Sequence, residues 1–208
     1  MRTLTFIAAL SAAVFAAPPE GNLKPWMIGP FLKQDDVNPI LGPNFDPQFF
    51  CPVRGKLVRW ESRAIIGGAA VVKNGKVYLV YNAEDSSEGF RRKTEASPGT
   101  MRMGLAVSDD GLRFTRRASP VLYPDKDFMQ ALEWPGGPQI PRLVEGPDET
   151  CYLHYSPWDL KVSRIATATS RDLVRWTKHG NIFERTHGGK YKNLWAKSGA
   201  VVTKLENG

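Results

Sequence analysis

Two matched blocks of short strand-forming runs recur along this chain, and that internal repeat restricts its fold more than any other feature. Val77-Tyr78-Leu79-Val80-Tyr81 matches Cys151-Tyr152-Leu153-His154-Tyr155, an offset of 74 from Tyr78 to Tyr152. Further on, the segment from Arg102 to Thr115 matches that from Arg164 to Thr177, an offset of 62. The shorter second offset places an insertion of 12 residues in the first copy, in the polar stretch Ser86 to Pro98, which reads as a surface loop. In the first copy the predicted strands are Ala69–Val72, Val77–Tyr81, Met103–Val107 and Leu112–Arg116. Asn74-Gly75 and Asp109-Asp110-Gly111 supply hairpin turns between them. The second copy has Asp148-Glu149 and Arg171-Asp172 at the corresponding turns. Four antiparallel strands repeated as a unit describe a propeller blade, whereas the strands of a sandwich do not recur as matched blocks.

Two fragments extend the pattern. Ala200-Val201-Val202 with Asn207-Gly208 resembles Ala70-Val71-Val72 with Asn74-Gly75, so a third blade is expected to begin there. Asn38-Pro39-Ile40-Leu41 resembles Ser119–Leu122 and Gly180–Phe183 and reads as the outer end of a further blade. The expectation is an all-β chain with about two and a half blades, fewer than the roughly four to eight of a closed ring.

The N-terminus reads as a secretory signal. Arg2 is the basic start, Leu4 to Phe15 the apolar stretch, and Val14-Phe15-Ala16 puts cleavage near Ala16 or Ala17. Residues 1–16 are thus expected to be removed and residues 17–208 to form one partial propeller domain of a secreted protein. No later stretch is long and apolar enough to span a bilayer, so no membrane is expected as a partner. The net charge of +7 comes from bases scattered among acids, apart from Arg91-Arg92-Lys93. A solvated surface follows rather than a nucleic-acid site, with attraction to an acidic polysaccharide left open. Cys51 and Cys151 are expected to be free or distant. With the three histidines they show no metal-ligand spacing, so no metal is expected.

Eight segments carry a family resemblance in the correct order. They are Asn38-Pro-Ile-Leu-Gly-Pro, Phe49-Phe-Cys-Pro-Val-Arg-Gly, Val58-Arg-Trp-Glu, Lys76-Val-Tyr-Leu-Val-Tyr-Asn-Ala-Glu-Asp and Arg102-Met-Gly-Leu-Ala-Val-Ser-Asp-Asp-Gly. Pro141-Arg-Leu-Val-Glu, Ala168-Thr-Ser-Arg-Asp-Leu-Val-Arg-Trp-Thr-Lys-His-Gly and Lys197-Ser-Gly-Ala-Val-Val complete the set. From about residue 26 onward the chain resembles glycoside hydrolase family 130, in the branch near secreted β-1,2-mannosidases. The resemblance implies a five-bladed propeller with a sugar site at one end of its funnel. It also implies inverting cleavage of β-mannosides in oligosaccharides or polysaccharides. Water or inorganic phosphate would be the nucleophile, and no other cofactor is implied. Inversion needs an acid for the leaving oxygen.

The departures fall on the blade-entry strands. The family's acid lies in Gly-Gly-Cys-Glu-Asp-Pro-Arg, and here the segment reads Gly136-Gly137-Pro138-Gln139-Ile140-Pro141-Arg142. Ile140 stands at the acid's position and carries no proton. Asn82 replaces an expected arginine, and Gly67-Gly68-Ala69 replaces Asn-Pro-Ala. The chain is therefore expected either to be an impaired enzyme or to be a carbohydrate-binding pseudoenzyme.

The resemblance and the strand positions nominate substrate-binding residues, each with a structural alternative. Arg142 would hold a hydroxyl or phosphate, or an ion pair. Asp85 would bind sugar hydroxyls, or cap a turn, and Asn82 would face the funnel beside it. Trp60 and Glu61 offer an aromatic face with an acceptor, or a core tryptophan beside a solvated acid. Trp158 and Asp159 sit in a loop after a strand and would border the sugar. Arg164 recurs at the position of Arg102, which favours a structural role, though phosphate-binding family members use an arginine near here. Lys197 matches a family lysine, or is solvated.

Overall fold

The computed structural model describes residues 32–85 and 99–201. The expected signal peptide, the expected loop at Ser86–Pro98 and the expected third-blade start beyond Val201 lie outside the described residues. The chain divides into Met1–Asp36 and Val37–Gly208. In the first unit the described residues carry a surface ion pair between Lys33 and Asp35 at 2.6 Å.

In the second unit each sequence repeat folds into one four-stranded antiparallel meander. The first sheet holds β3 (Ala64–Lys73), β4 (Lys76–Glu84), β5 (Met101–Ser108) and β6 (Thr115–Arg116). The second holds β7 (Gly137–Glu145), β8 (Cys151–Trp158), β9 (Ala166–Ser170) and β10 (Thr177–Asn181). Before them stands a hairpin of β1 (Phe49–Cys51) and β2 (Lys56–Val58), which the repeat does not announce. A short helix α1 (Gln130–Glu133) leads into β7, and a 3₁₀ turn (Thr186–Gly189) follows β10.

Local chemistry sets the turns. Asn74 and Gly75 both take positive φ, 51° and 73°, as the tight β3–β4 hairpin requires. Between β5 and β6 the Asp110 carboxylate accepts the Leu112 and Arg113 amides, each at 2.8 Å. The repeat has the same device: Asp172 accepts the amides of Val174 at 2.9 Å and Arg175 at 2.8 Å. This capping corrects the expected strand at Leu112–Arg116. Asp110 takes the amides of residues 112 and 113 out of the ladder, so β6 begins only at Thr115. Residues 38–41 likewise form no strand.

Alternation along β4 and β5 fills two cores. Val80, Met103 and Leu105 face the second sheet and meet Leu143, Leu153 and Leu173. Tyr81, Ala83 and Ala106 point the other way, onto Trp60, Cys51 and Val58. Covered on both sides, the C-terminal half of β4 from Val80 to Glu84 is buried at every residue. Gly104 is required at this second interface, because a Cβ there would lie 2.3 Å from the Tyr81 ring and 2.7 Å from Trp60. Cys51 and Cys151 are buried and free.

The sheets approach most closely where β5 and β7 begin. The Met101 amide donates to the Gly136 carbonyl at 3.0 Å. A Cβ on Gly137 would come within 2.1 Å of the Met101 carbonyl oxygen, and its φ of 88° suits glycine alone. Gly136-Gly137 therefore serves inter-sheet packing at the end of the fold where the site residues gather.

Candidate functional site

Both inner strands, β3 and β7, break register at the same repeat position. In β3 the bulge lies between Ile66 and Gly68, and in β7 between Gln139 and Arg142. The residue at each break is left-handed: Gly67 at φ 56° and Ile140 at φ 52°. Glycine accepts that conformation. A β-branched residue is strained there, by roughly 1–2 kcal/mol, whereas Asn and Asp tolerate it. Asp-Pro, the pair in the resembled family, suits this bulge. Ile140→Gly should accordingly raise stability by about 1 kcal/mol, read as a higher urea midpoint with unchanged slope. A lower midpoint would show that the Ile140 side chain contributes more than its backbone strain removes.

Asn82 locks the bulge from the neighbouring sheet. Its amide donates to the Pro138 carbonyl at 2.9 Å, and its Oδ1 accepts the Ile140 amide at 2.6 Å. Two departures from the family pattern thus meet in space. Asn82 is 3% exposed, and its side chain bonds backbone just before and at the bulge.

Two charge networks recur once per sheet. In the first, the acid ending the second strand pairs with the arginine opening the third. Arg102 meets Asp85 at 2.7 Å, and Arg164 meets Asp159 at 3.0 Å. Asp85 also accepts the Thr100 amide at 2.9 Å and is 1% exposed. Asp159 accepts the Lys161 and Val162 amides, each at 2.7 Å, and these bonds with Arg164 hold its carboxyl below the usual range against partial burial.

In the second network a buried glutamate ahead of the inner strand accepts from a second-strand tyrosine and a fourth-strand cation. Glu61 takes Tyr81 at 2.8 Å and Arg116 at 3.1 Å. Glu133 takes Tyr155 at 2.8 Å and Lys178 at 2.7 Å. Arg116 and Lys178 are separated by the same offset as Arg102 and Arg164, so this signal was present in the repeat. The residues alone offered Glu61 as a sugar acceptor or a solvated acid, and gave Glu133 no role; the buried network of Glu61 is neither. Trp60 donates to the Ala118 carbonyl at 2.9 Å, stacks on Tyr81 and is fully buried. Trp60 and Glu61 therefore lie inside the core, and the expected aromatic face with an acceptor is not the arrangement found.

Burial raises the Glu133 carboxyl from 4.5 to about 7, with Lys178 and Tyr155 opposing the rise. Burial raises Glu61 as well. Between 4.5 and 7 the folded protein keeps a proton that the unfolded chain has released, so stability falls as pH climbs through that window. Asp127, Tyr155 and Lys178 are the ionisable groups acting on Glu133 there. Urea midpoints at pH 5 and pH 8 should show this fall, by about 1–3 kcal/mol, and Glu133→Gln should flatten it. An equal fall in the variant would place the titrating group elsewhere.

Besides Asp159, which is paired with Arg164, four nominated positions remain in reach of solvent. Arg142 is exposed on β7, bonded only to its neighbouring Pro141 carbonyl at 3.3 Å. Ile140 is partly exposed two residues earlier. Trp158 ends β8 half-buried, with its indole N–H buried and unpaired. Lys197 is exposed and lies over two indoles, 5.9 Å from Trp158 and 6.0 Å from Trp195. Trp195, 59% exposed, was not foreseen. Among the described residues no cluster of His, Cys, Asp and Glu could hold a metal, and no helix is long and apolar enough to cross a membrane.

Repeated four-stranded antiparallel sheets with bulged inner strands define a protein of the β-propeller class. A family model described as β-1,4-mannooligosaccharide phosphorylase matches residues 68–208, and the chain belongs to this family, glycoside hydrolase family 130. A glycosyl hydrolase structure from Bacteroides ovatus is 40% identical with a TM-score of 0.78, covering 85% of this chain and 48% of that one. A second family structure, from work on hydrolases that target β-1,2 mannosidic linkages in Candida mannan, is 38% identical with a TM-score of 0.78, covering 85% and 48%. A 1,2-β-oligomannan phosphorylase of Thermoanaerobacter is 31% identical over 60% of this chain and 40% of its own length. The chain thus spans about half the length of the solved relatives it matches, and its two sheets are two blades of that propeller.

Proposed function

We propose that this chain is the site-bearing part of a secreted, inverting β-mannoside hydrolase or phosphorylase that binds its sugar but cleaves it poorly. The carrying observation is Ile140 in the left-handed bulge of β7, where the resemblance places the general acid. Gly136 to Arg142 contains no carboxyl group. Glu61 and Asp85, the nominated carboxylates nearest in role, are 1% exposed and held in ion pairs. An acid must reach the glycosidic oxygen from the face opposite the attacking group, with a separation of about 6.5–9.5 Å from a base.

Binding on this reading falls to Arg142, Trp158 and Lys197. Arg142 is free to chelate vicinal hydroxyls or phosphate, and Trp158 offers an indole to a pyranose face. Asp85, Asn82, Asp159 and Arg164 shape the rim rather than touch the sugar, because their polar atoms are engaged with protein. Inorganic phosphate would be the co-substrate if Arg142 and Lys197 jointly hold an anion, and no other cofactor enters. The non-catalytic alternative, a carbohydrate-binding pseudoenzyme, is favoured by the Asn82 clip, which satisfies the bulge without any carboxylate.

The test is an NMR titration with β-1,2-mannobiose, with and without phosphate, alongside a turnover assay. Binding should weaken about 10-fold or more in Arg142→Ala. Efficient turnover by the unaltered chain would remove the impairment reading. Absence of binding would remove the sugar-site assignment.

A further inference from the structure

A groove of about 690 Å³ lies on the outer side of the blades, away from the inner strands, within the size range of ligand sites. It runs between the connection after β6 and the start of β10, lined in part by Phe49, Arg117, Tyr123, Asp125, Phe128 and Trp176. β10 and β7 are opposite edges of one four-stranded sheet, so the groove stands roughly 14 Å from the inner strand at the ordinary strand spacing.

Aromatic and polar side chains share its walls, with Phe49, Tyr123, Phe128 and Trp176 among the lining residues. Phe128 is 69% exposed at the groove. Tyr123 packs on Phe49 with ring centroids 4.6 Å apart. Trp176 is half-buried, its indole N–H anchored to the Leu173 carbonyl at 3.1 Å. Tyr123 and Trp176 are thus positioned by protein contacts before any ligand arrives.

The charges cancel in pairs. Lys178 is bound to Asp127 at 2.9 Å and to Glu133 at 2.7 Å, and Arg175 is bound to Asp172 at 3.0 Å. Arg117 has no acidic partner among the described residues. Asp125 uses one oxygen on the adjacent Lys126 amide at 2.7 Å. One unpaired cation and one half-used carboxylate remain beside exposed rings. Such a set gives no net attraction to an anion. It suits a neutral molecule with an apolar face and a row of hydroxyls, because Arg and Asp can each take vicinal hydroxyls while a ring takes the C–H face.

We propose that this groove is a second saccharide site, for a neutral oligosaccharide of the β-mannoside type, separate from the funnel. It would hold a polymeric substrate against the outer face of the propeller while the funnel takes one end. The site does not depend on Ile140 or Arg142.

Phe128→Ala and Arg117→Ala test it, since both side chains are exposed and outside the two cores. An amide-resolved NMR titration with β-1,2-mannotriose should shift residues 117–128 and 174–178. Each variant should weaken that response about 5-fold or more, while Arg142→Ala leaves it unchanged. Shifts confined to residues around Arg142 and Lys197 would overturn the second site and leave the funnel reading standing. Shifts confined to the groove would support it and count against the funnel. Tighter binding of trigalacturonate than of mannotriose would overturn the neutral-ligand assignment, and no response to either sugar would overturn the site.

Discussion

Replacing Lys178 with methionine is expected to destabilise the protein by about 3–5 kcal/mol at pH 8, because it leaves an uncompensated carboxylate in the core. Among the described residues Lys178 is the one cation bonded to Glu133, which is fully buried. Tyr155 would remain as a donor at 2.8 Å, one hydrogen bond where there were two. The loss should shrink toward pH 5, where Glu133 can take up a proton and enter the core neutral. Lys178→Met with Glu133→Gln should be less damaging at pH 8 than Lys178→Met alone, since the pair is then removed together. Urea denaturation of the wild type, Lys178→Met, Glu133→Gln and the double variant at both pH values measures this. Equal losses at pH 5 and pH 8 would mean that Lys178 matters for packing or for Asp127, not for the Glu133 charge. The equivalent substitution in the first blade, Arg116→Met, should be milder, because Arg116 is the more exposed cation of the two, 20% against 9%.

Restoring a carboxyl at the bulge is expected to change catalysis rather than stability most. In a chimera where a family relative supplies the rest of the ring, Ile140→Asp should raise cleavage of β-1,2-mannobiose by a factor of about 10²–10⁴. The gain reflects a proton donor set at a position that the backbone already shapes for Asp. The 208-residue chain carrying the same substitution should stay slow, since two blades supply only part of a funnel. Ile140→Asn, isosteric with Asp but without the proton, separates the terms: it should recover the backbone relief and none of the rate. Chimera turnover that is equal with Ile, Asn and Asp at 140 would place the acid elsewhere.

The placement of individual side chains divides according to how far apart the interacting residues are. Asn74-Gly75 and the two aspartate-capped turns act over three or four residues, so their geometry follows from local chemistry and could be read directly. Arg102 and Arg164 were readable as structural because a residue repeated in every blade serves the blade, and each is found paired with an aspartate. Trp60 and Glu61 were left between an exposed aromatic-acid pair and a core tryptophan because both have the same letters, and burial of the glutamate was not legible. Burial here depends on Gly104, 44 positions downstream, leaving room for the ring.

The sequence by itself determined the blade's repeat, its three inner strands, its turns and its family, all of which rest on periodicity and short-range hydrogen bonding. Only the tertiary structure decided which polar groups are spoken for. Asn82 and Ile140 are 58 residues apart and meet because two sheets pack face to face at Gly136-Gly137. Glu133 and Lys178 meet because a helix before the inner strand is pressed against the outermost one. Such contacts join separate strands and sheets, and pairing across a packed interface leaves no periodic trace in the chain.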